Sequence, residues 1–166
     1  MHRVSIPQPM VYLQNLLVDI STNLGYRVYM YTSLARHLAI LHRHNQRYLN
    51  QVLKPYSLTS GEVGFLMSLY QAEGQTQEEL STALVIDKAA TARALKVLID
   101  KGYVTRTQDE KDKRCNRIHL TEHAKALEAE LTNRVRRWNL DLMEQFGSET
   151  YEQLCAQLGM IQKELS

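Results

Sequence analysis

The densest chemistry of the 166-residue chain lies between Val85 and Leu120, where nine basic residues meet five acidic ones. The basic set is Lys88, Arg93, Lys96, Lys101, Arg106, Lys111, Lys113, Arg114 and Arg117; the acids are Asp87, Asp100, Asp109, Glu110 and Asp112. The stretch holds a net +4 in a chain whose total is +2, so the remainder carries −2. A locally basic segment in a nearly neutral chain suits a polyanion, although a charge run also serves as a plain solvated face. Other chemistries lack their residues. No glycine-rich phosphate loop follows a strand, and no nucleophile stands in a motif with a base, so neither an enzyme nor a cofactor is expected. Glu62 and the Glu78-Glu79 pair stand where helix starts need a carboxylate. His37, His42 and His44 are five and two residues apart, and His119 and His123 lie on either side of a helix start, so solvated histidines are expected rather than a metal site. Cys115 and Cys155 lack the spacing of a zinc or redox pair. Cys115 sits beside Arg114 and Arg117, whose charge favours a thiolate. Cys155 adjoins an apolar stripe and reads as a buried, inert thiol.

The elements that would position these residues are mostly helices. At 44% hydrophobic and 23% charged, the composition is that of a globular domain and excludes a long disordered chain. Three prolines and seven glycines leave few breaks in helical periodicity. No apolar run approaches the ~18–20 residues needed to span a bilayer. Pro7, Gln8, Pro9, Gln14 and Asn15 interrupt any signal-like core, so a cytoplasmic protein without a membrane partner is expected.

A short helix is predicted from Leu13, Leu16, Leu17, Ile20 and Leu24, and a longer one from about Tyr29 to Leu53, stopped by Pro55. Thr59-Ser60-Gly61-Glu62 and Thr76-Gln77-Glu78-Glu79 are capping boxes for two further helices. Asp87 caps a fourth, Lys88–Lys101, ended by Gly102 in a left-handed conformation. Tyr103–Thr107 and Arg117–Leu120 then change period and read as a hairpin around the polar loop Asp109–Asn116. Thr121 caps a long helix bearing Ala124, Leu127, Leu131, Val135, Trp138 and Leu142. A last helix carries Tyr151, Leu154, Leu158, Ile161 and Leu165. The expected fold is therefore mainly α with a small β-hairpin: a winged helix-turn-helix lobe at residues 57–120, a helical dimerisation region at 31–56 and 121–166, and an N-terminal extension at 1–30. The outer helices carry more apolar stripe than one small lobe covers, and a second chain is the simplest cover.

The central stretch resembles the MarR (multiple antibiotic resistance regulator) family of bacterial transcription factors. The matching residues are Leu58-Thr59; Thr76-Gln77-Glu78-Glu79-Leu80-Ser81; Ile86-Asp87; Leu98-Ile99-Asp100-Lys101-Gly102-Tyr103-Val104-Thr105-Arg106; Asp109-Glu110-Lys111-Asp112-Lys113-Arg114; and Ile118-His119-Leu120-Thr121. The similarity runs from about Ser33 to the C-terminus. It implies a homodimer that binds double-stranded DNA at a pseudo-palindromic operator. The recognition helix 88–101 would enter the major groove and the wing 109–117 the adjacent minor groove, and repression would be released by a small-molecule effector.

Residue by residue, the resemblance gives Arg93 a base or phosphate contact, joined by Lys88, Lys96 and Thr91 on the same helix. Thr76 and Gln77 open the preceding helix, whose free amides suit a phosphate. Asp112 and Arg114 match the Asp-x-Arg wing motif: Arg114 would enter the minor groove, Asp112 would orient an arginine, and Lys111, Lys113 and Arg117 would add phosphate attraction. The chain departs from the family at Ala89, Ala90 and Ala92, where members often carry Ser or Thr, so hydrogen-bonded readout is thin. Arg36, His37 and Tyr48 stand in the region where members hold effectors. Family members that sense peroxide use a cysteine near the N-terminal helix; this chain has Tyr26, Tyr29 and Tyr31 there and no cysteine before Cys115. The extension at 1–30 reads as a helix that wraps a partner subunit or as a leader before a start at Met30. Two alternatives stay open: a winged-helix protein-interaction module, and a thiol-modulated regulator acting through Cys115.

Overall fold

The computed structural model describes residues 33–165 apart from 110–112 and 114. The predicted helix at Leu13–Leu24, and Lys111, Asp112 and Arg114 of the wing, lie outside the described residues. Two compact units divide the chain, residues 1–44 and 45–166. The elements are α1 (Leu34–Val52), a 3-10 turn (Lys54–Tyr56), α2 (Ser60–Gln71), α3 (Gln77–Leu84), α4 (Lys88–Asp100), β1 (Val104–Gln108), β2 (Asn116–Leu120), α5 (Glu122–Ala126), α6 (Glu128–Phe146) and α7 (Ser148–Leu165).

Each boundary has a local cause. Pro55 occupies the start of the 3-10 turn and stops α1 from continuing. Both predicted capping boxes form. Thr59 N–H donates to Glu62 Oε2 at 2.9 Å, and Thr76 N–H donates to Glu79 Oε2 at 2.6 Å. Asp87 Oδ1 accepts from Ala90 N–H at 2.8 Å and opens α4. Gly102, at φ +74°, ends α4, and Tyr103 N–H returns to Leu98 O at 2.9 Å. The hairpin is antiparallel with Val104 opposite Leu120 and Arg106 opposite Ile118. The turn before α3 joins it as a short third edge, through Gly74 N–H to Ile118 O and Ile118 N–H to Gln75 O.

The helix predicted to run unbroken from Thr121 is two helices. At Leu127 the amide reaches back three residues, to Ala124 O at 3.1 Å, and α6 starts afresh from there. The apolar spacing passes through this tight turn undisturbed, so periodicity does not reveal it.

The core fills residues 49–131: Leu53, Phe65, Leu66, Leu69, Leu80, Leu95, Leu98, Ile118 and Leu131 are fully buried among them. Tyrosines tie this core to the helices after it. Tyr70 OH donates to Ala124 O at 2.7 Å, and burial pushes its pKa up to about 12. Tyr103 OH donates to Tyr56 O at 2.8 Å, and Tyr48 OH to Arg134 O at 3.2 Å.

Candidate nucleic-acid interface

Helix α4 buries one row, Thr91, Leu95 and Leu98, at steps of four and three. At 100° per residue, Arg93 projects about 200° away from Thr91, and Ala89 and Lys96 lie to one side of it. Ala89, Arg93 and Lys96 are all exposed. One face of α4 thus anchors the helix, and the opposite face carries Arg93 and Lys96, two exposed cations without an ion-pair partner among the described residues, beside Ala89.

Thr91 does not belong to that surface. It is fully buried, and its hydroxyl is a buried oxygen without a hydrogen-bond partner. A side chain at 0% exposure cannot touch DNA without unpacking the lobe, so its predicted contact is corrected to a core position.

Lys88 stands at the start of α4 with its ammonium on Glu78 Oε1 at 2.8 Å. This hydrogen bond holds the Glu78 carboxyl below its usual range and raises the pKa of Lys88. Both groups are exposed, so the pair is easily exchanged for a phosphate. Gln77 Nε2 donates to Lys88 O at 3.3 Å, linking the starts of α3 and α4. Between α3 and the hairpin runs a groove of about 270 Å³ lined by Thr76, Gln77, Lys88, Arg106, Cys115 and Asn116. Lys88, Arg106 and the start of α3 meet there with Glu78, whose carboxylate holds Lys88, so a phosphate backbone docking in the groove would take over Lys88 from Glu78. Arg106 was counted in the basic stretch but given no role; strand pairing with Ile118 is what brings it to the groove.

The base of the wing is held by an ion pair that sequence reading assigned elsewhere. Arg117 Nε binds the buried carboxylate of Asp109, and its terminal nitrogen donates to Gly74 O at 2.8 Å. Asp109 N–H closes the loop on Cys115 O at 3.0 Å. Arg117 therefore latches the hairpin to the turn before α3, and its charge is largely matched rather than offered to phosphate. Lys113 is exposed at the loop. Cys115 is exposed, and so is Cys155, which corrects the expectation of a buried thiol: the whole of α7 carries no buried residue.

Among the described residues, no three His, Cys, Asp or Glu side chains cluster as a metal site, and no helix is long and apolar enough to cross a membrane.

Two short helices joined at a tight turn, followed by a hairpin with a charged loop, define a winged helix-turn-helix, with α4 as its second and outward-facing helix. The MarR family's sequence model matches residues 58–116. A solved MarR transcriptional regulator from Methanosarcina mazei Go1 is 37% identical, covering 79% of this chain and 94% of that one, with a TM-score of 0.74. The regulator BilQ of Clostridioides difficile is 25% identical over 131 residues, 79% of this chain and 88% of that protein. A mutant MarR from E. coli, solved in complex with operator DNA, is 25% identical, covering 80% of this chain and 96% of that one, with a TM-score of 0.73. The chain belongs to the MarR family of DNA-binding transcriptional regulators.

Proposed function

We propose that the chain is a homodimeric repressor that covers a pseudo-palindromic operator and is modulated by a small-molecule effector. In this reading α4 enters the major groove with Arg93 and Lys96, the groove at Lys88 and Arg106 holds the phosphate backbone, and the wing, with Lys111, Lys113 and Arg114, reaches the adjacent minor groove. The observation that carries it is the outward cationic face of α4, opposite the buried Thr91–Leu95–Leu98 row. The related E. coli protein solved in complex with operator DNA supports DNA as the partner.

Dimerisation is supported by apolar surface outside the lobe. Leu34, Leu38 and Leu41 are exposed on α1, and Leu154, Met160, Ile161 and Leu165 are exposed on α7. Rows of this kind call for a second copy of the chain. Residues 31–56 and 121–166 would form that dimerisation region and residues 57–120 the DNA-binding lobe. A two-fold dimer presents two copies of α4, which is the reason a pseudo-palindrome is expected.

The test is operator binding by the wild type, Arg93→Ala and Arg114→Ala at 50 and 200 mM salt. With about 6–10 phosphate contacts per dimer, wild-type affinity is expected to fall by roughly 10³–10⁵ between those salts. Both variants are expected to bind more weakly. Binding indifferent to both arginines would overturn the proposed docking.

A further inference from the structure

The turn between α3 and α4 contains a residue that neither the backbone nor the core accounts for. Val85 caps α3 at φ +53°, in the left-handed region that favours glycine and crowds a β-branched side chain. The cap itself is made by backbone groups, Val85 N–H to Thr82 O at 3.2 Å and Ile86 N–H to Ser81 O at 3.0 Å. Glycine would make the same bonds without the crowding. Burial does not explain the valine either, because it is 86% exposed. Among the described residues, the exposed large hydrophobics outside α1, α6 and α7 are Val85 and Val97, both within the helix-turn-helix.

Helix α4 opens with Lys88; of the alanines that follow, Ala90 and Ala92 are half-buried and Ala89 is exposed one turn before Arg93 on the outward face. The first residues of the second helix are those that reach base edges when a helix-turn-helix docks. Here, beside Lys88, Ala89 offers a methyl group in place of a hydrogen-bond donor. In the major groove the apolar feature of a base edge is the 5-methyl group of thymine. Resting on the DNA-binding reading above, we propose that Val85 and Ala89 form an apolar reader of thymine 5-methyl groups at the entry of the recognition helix, with Arg93 supplying the polar contact beside it.

The experiment begins with selection of duplexes from a random library by the full-length wild-type protein. The recovered site is then resynthesised with deoxyuridine in place of thymidine, one position at a time. Loss of the contacted methyl is expected to weaken wild-type binding about fourfold, the value of one buried methyl-sized group. Val85→Gly and Val85→Asn, which both tolerate the left-handed backbone, are expected to bind thymidine and deoxyuridine duplexes alike at that position. Their salt dependence should match the wild type, since no phosphate contact is touched, and their thermal midpoints should not fall. An enriched duplex indifferent to deoxyuridine at every position, or full methyl preference retained by both variants, would overturn this inference alone. Failure to enrich any duplex would overturn the DNA-binding reading and this inference with it.

Discussion

At Thr91, side-chain type and spacing point in opposite directions, and spacing prevails. A threonine near a basic helix start looks like a phosphate donor, yet it continues the Leu95–Leu98 row backwards by four residues and is buried with them. Its unpartnered hydroxyl carries a desolvation cost that a methyl group would not. Thr91→Val is expected to raise stability by about 1 kcal/mol in denaturant unfolding, with DNA affinity unchanged; weakened DNA binding by a stably folded variant would restore Thr91 to the interface. The Asp109–Arg117 pair was hidden for a different reason. Both residues were visible as charges, but their partnership depends on strand register and on the turn at Gly74. Removing the arginine takes its guanidinium from a buried carboxylate and from the Gly74 carbonyl, so Arg117→Ala is expected to cost about 2–3 kcal/mol, discounted for the half-exposed guanidinium. The paired change Asp109→Leu with Arg117→Leu should recover most of that loss; failure to recover would show that the pair is not the reason.

The helix caps were the most legible part of the molecule, because each is written in residues three apart and closes on its own backbone. Thr59/Glu62, Thr76/Glu79 and Asp87/Ala90 all formed as read. The cap at Thr76 and Glu79 also sets a pH dependence. The Thr76 amide, bonded to the Glu79 carboxylate, holds its pKa below the usual range. A carboxyl depressed in the folded state contributes stability above its unfolded pKa and loses it as pH falls through the folded one. Stability is therefore expected to be flat near neutrality and to decline from about pH 5 to 3, less steeply in Glu79→Gln; identical slopes for the two proteins would remove the cap from the explanation. The end of α3 was not legible in this way. A glycine there would have announced the turn, whereas Val85 conceals it. Relief of the crowded backbone is expected to make Val85→Gly more stable by about 1 kcal/mol, offset in part by unfolded-chain entropy, as read from the thermal midpoint. The break at Leu127 was concealed by an apolar rhythm that survives a single tight turn.

Burial declines along the chain, from a lobe whose leucines are wholly enclosed to an α7 with no buried residue. In the proposed homodimer, α7, eighteen residues long with Leu154, Met160 and Ile161 exposed, would supply half of the contact. In the proposed dimer, Leu154→Glu with Ile161→Glu is expected to give a monomer by sedimentation while the lobe keeps its cooperative unfolding. Two linked half-sites bind more tightly than one, so operator affinity should drop by roughly 10²–10⁴. A dimer that survives both charges would place the interface on other residues.

The helices from α1 to α4, the hairpin, the caps and the basic stretch could be read from the 166 letters, because each depends on neighbours within one or two turns of chain. The family resemblance followed the same local motifs from Leu58 to Thr121. Folding settled which charges are free and which are spoken for. Arg93 and Lys96 stand clear on α4, Lys88 rests on Glu78, Arg117 is committed to Asp109 and the Gly74 carbonyl, and Thr91 is inside. These outcomes depend on groups eight to forty-three residues apart being brought within hydrogen-bond reach. A charge shows in the sequence as a residue type, but whether it is spent depends on a distance that only the packed chain supplies.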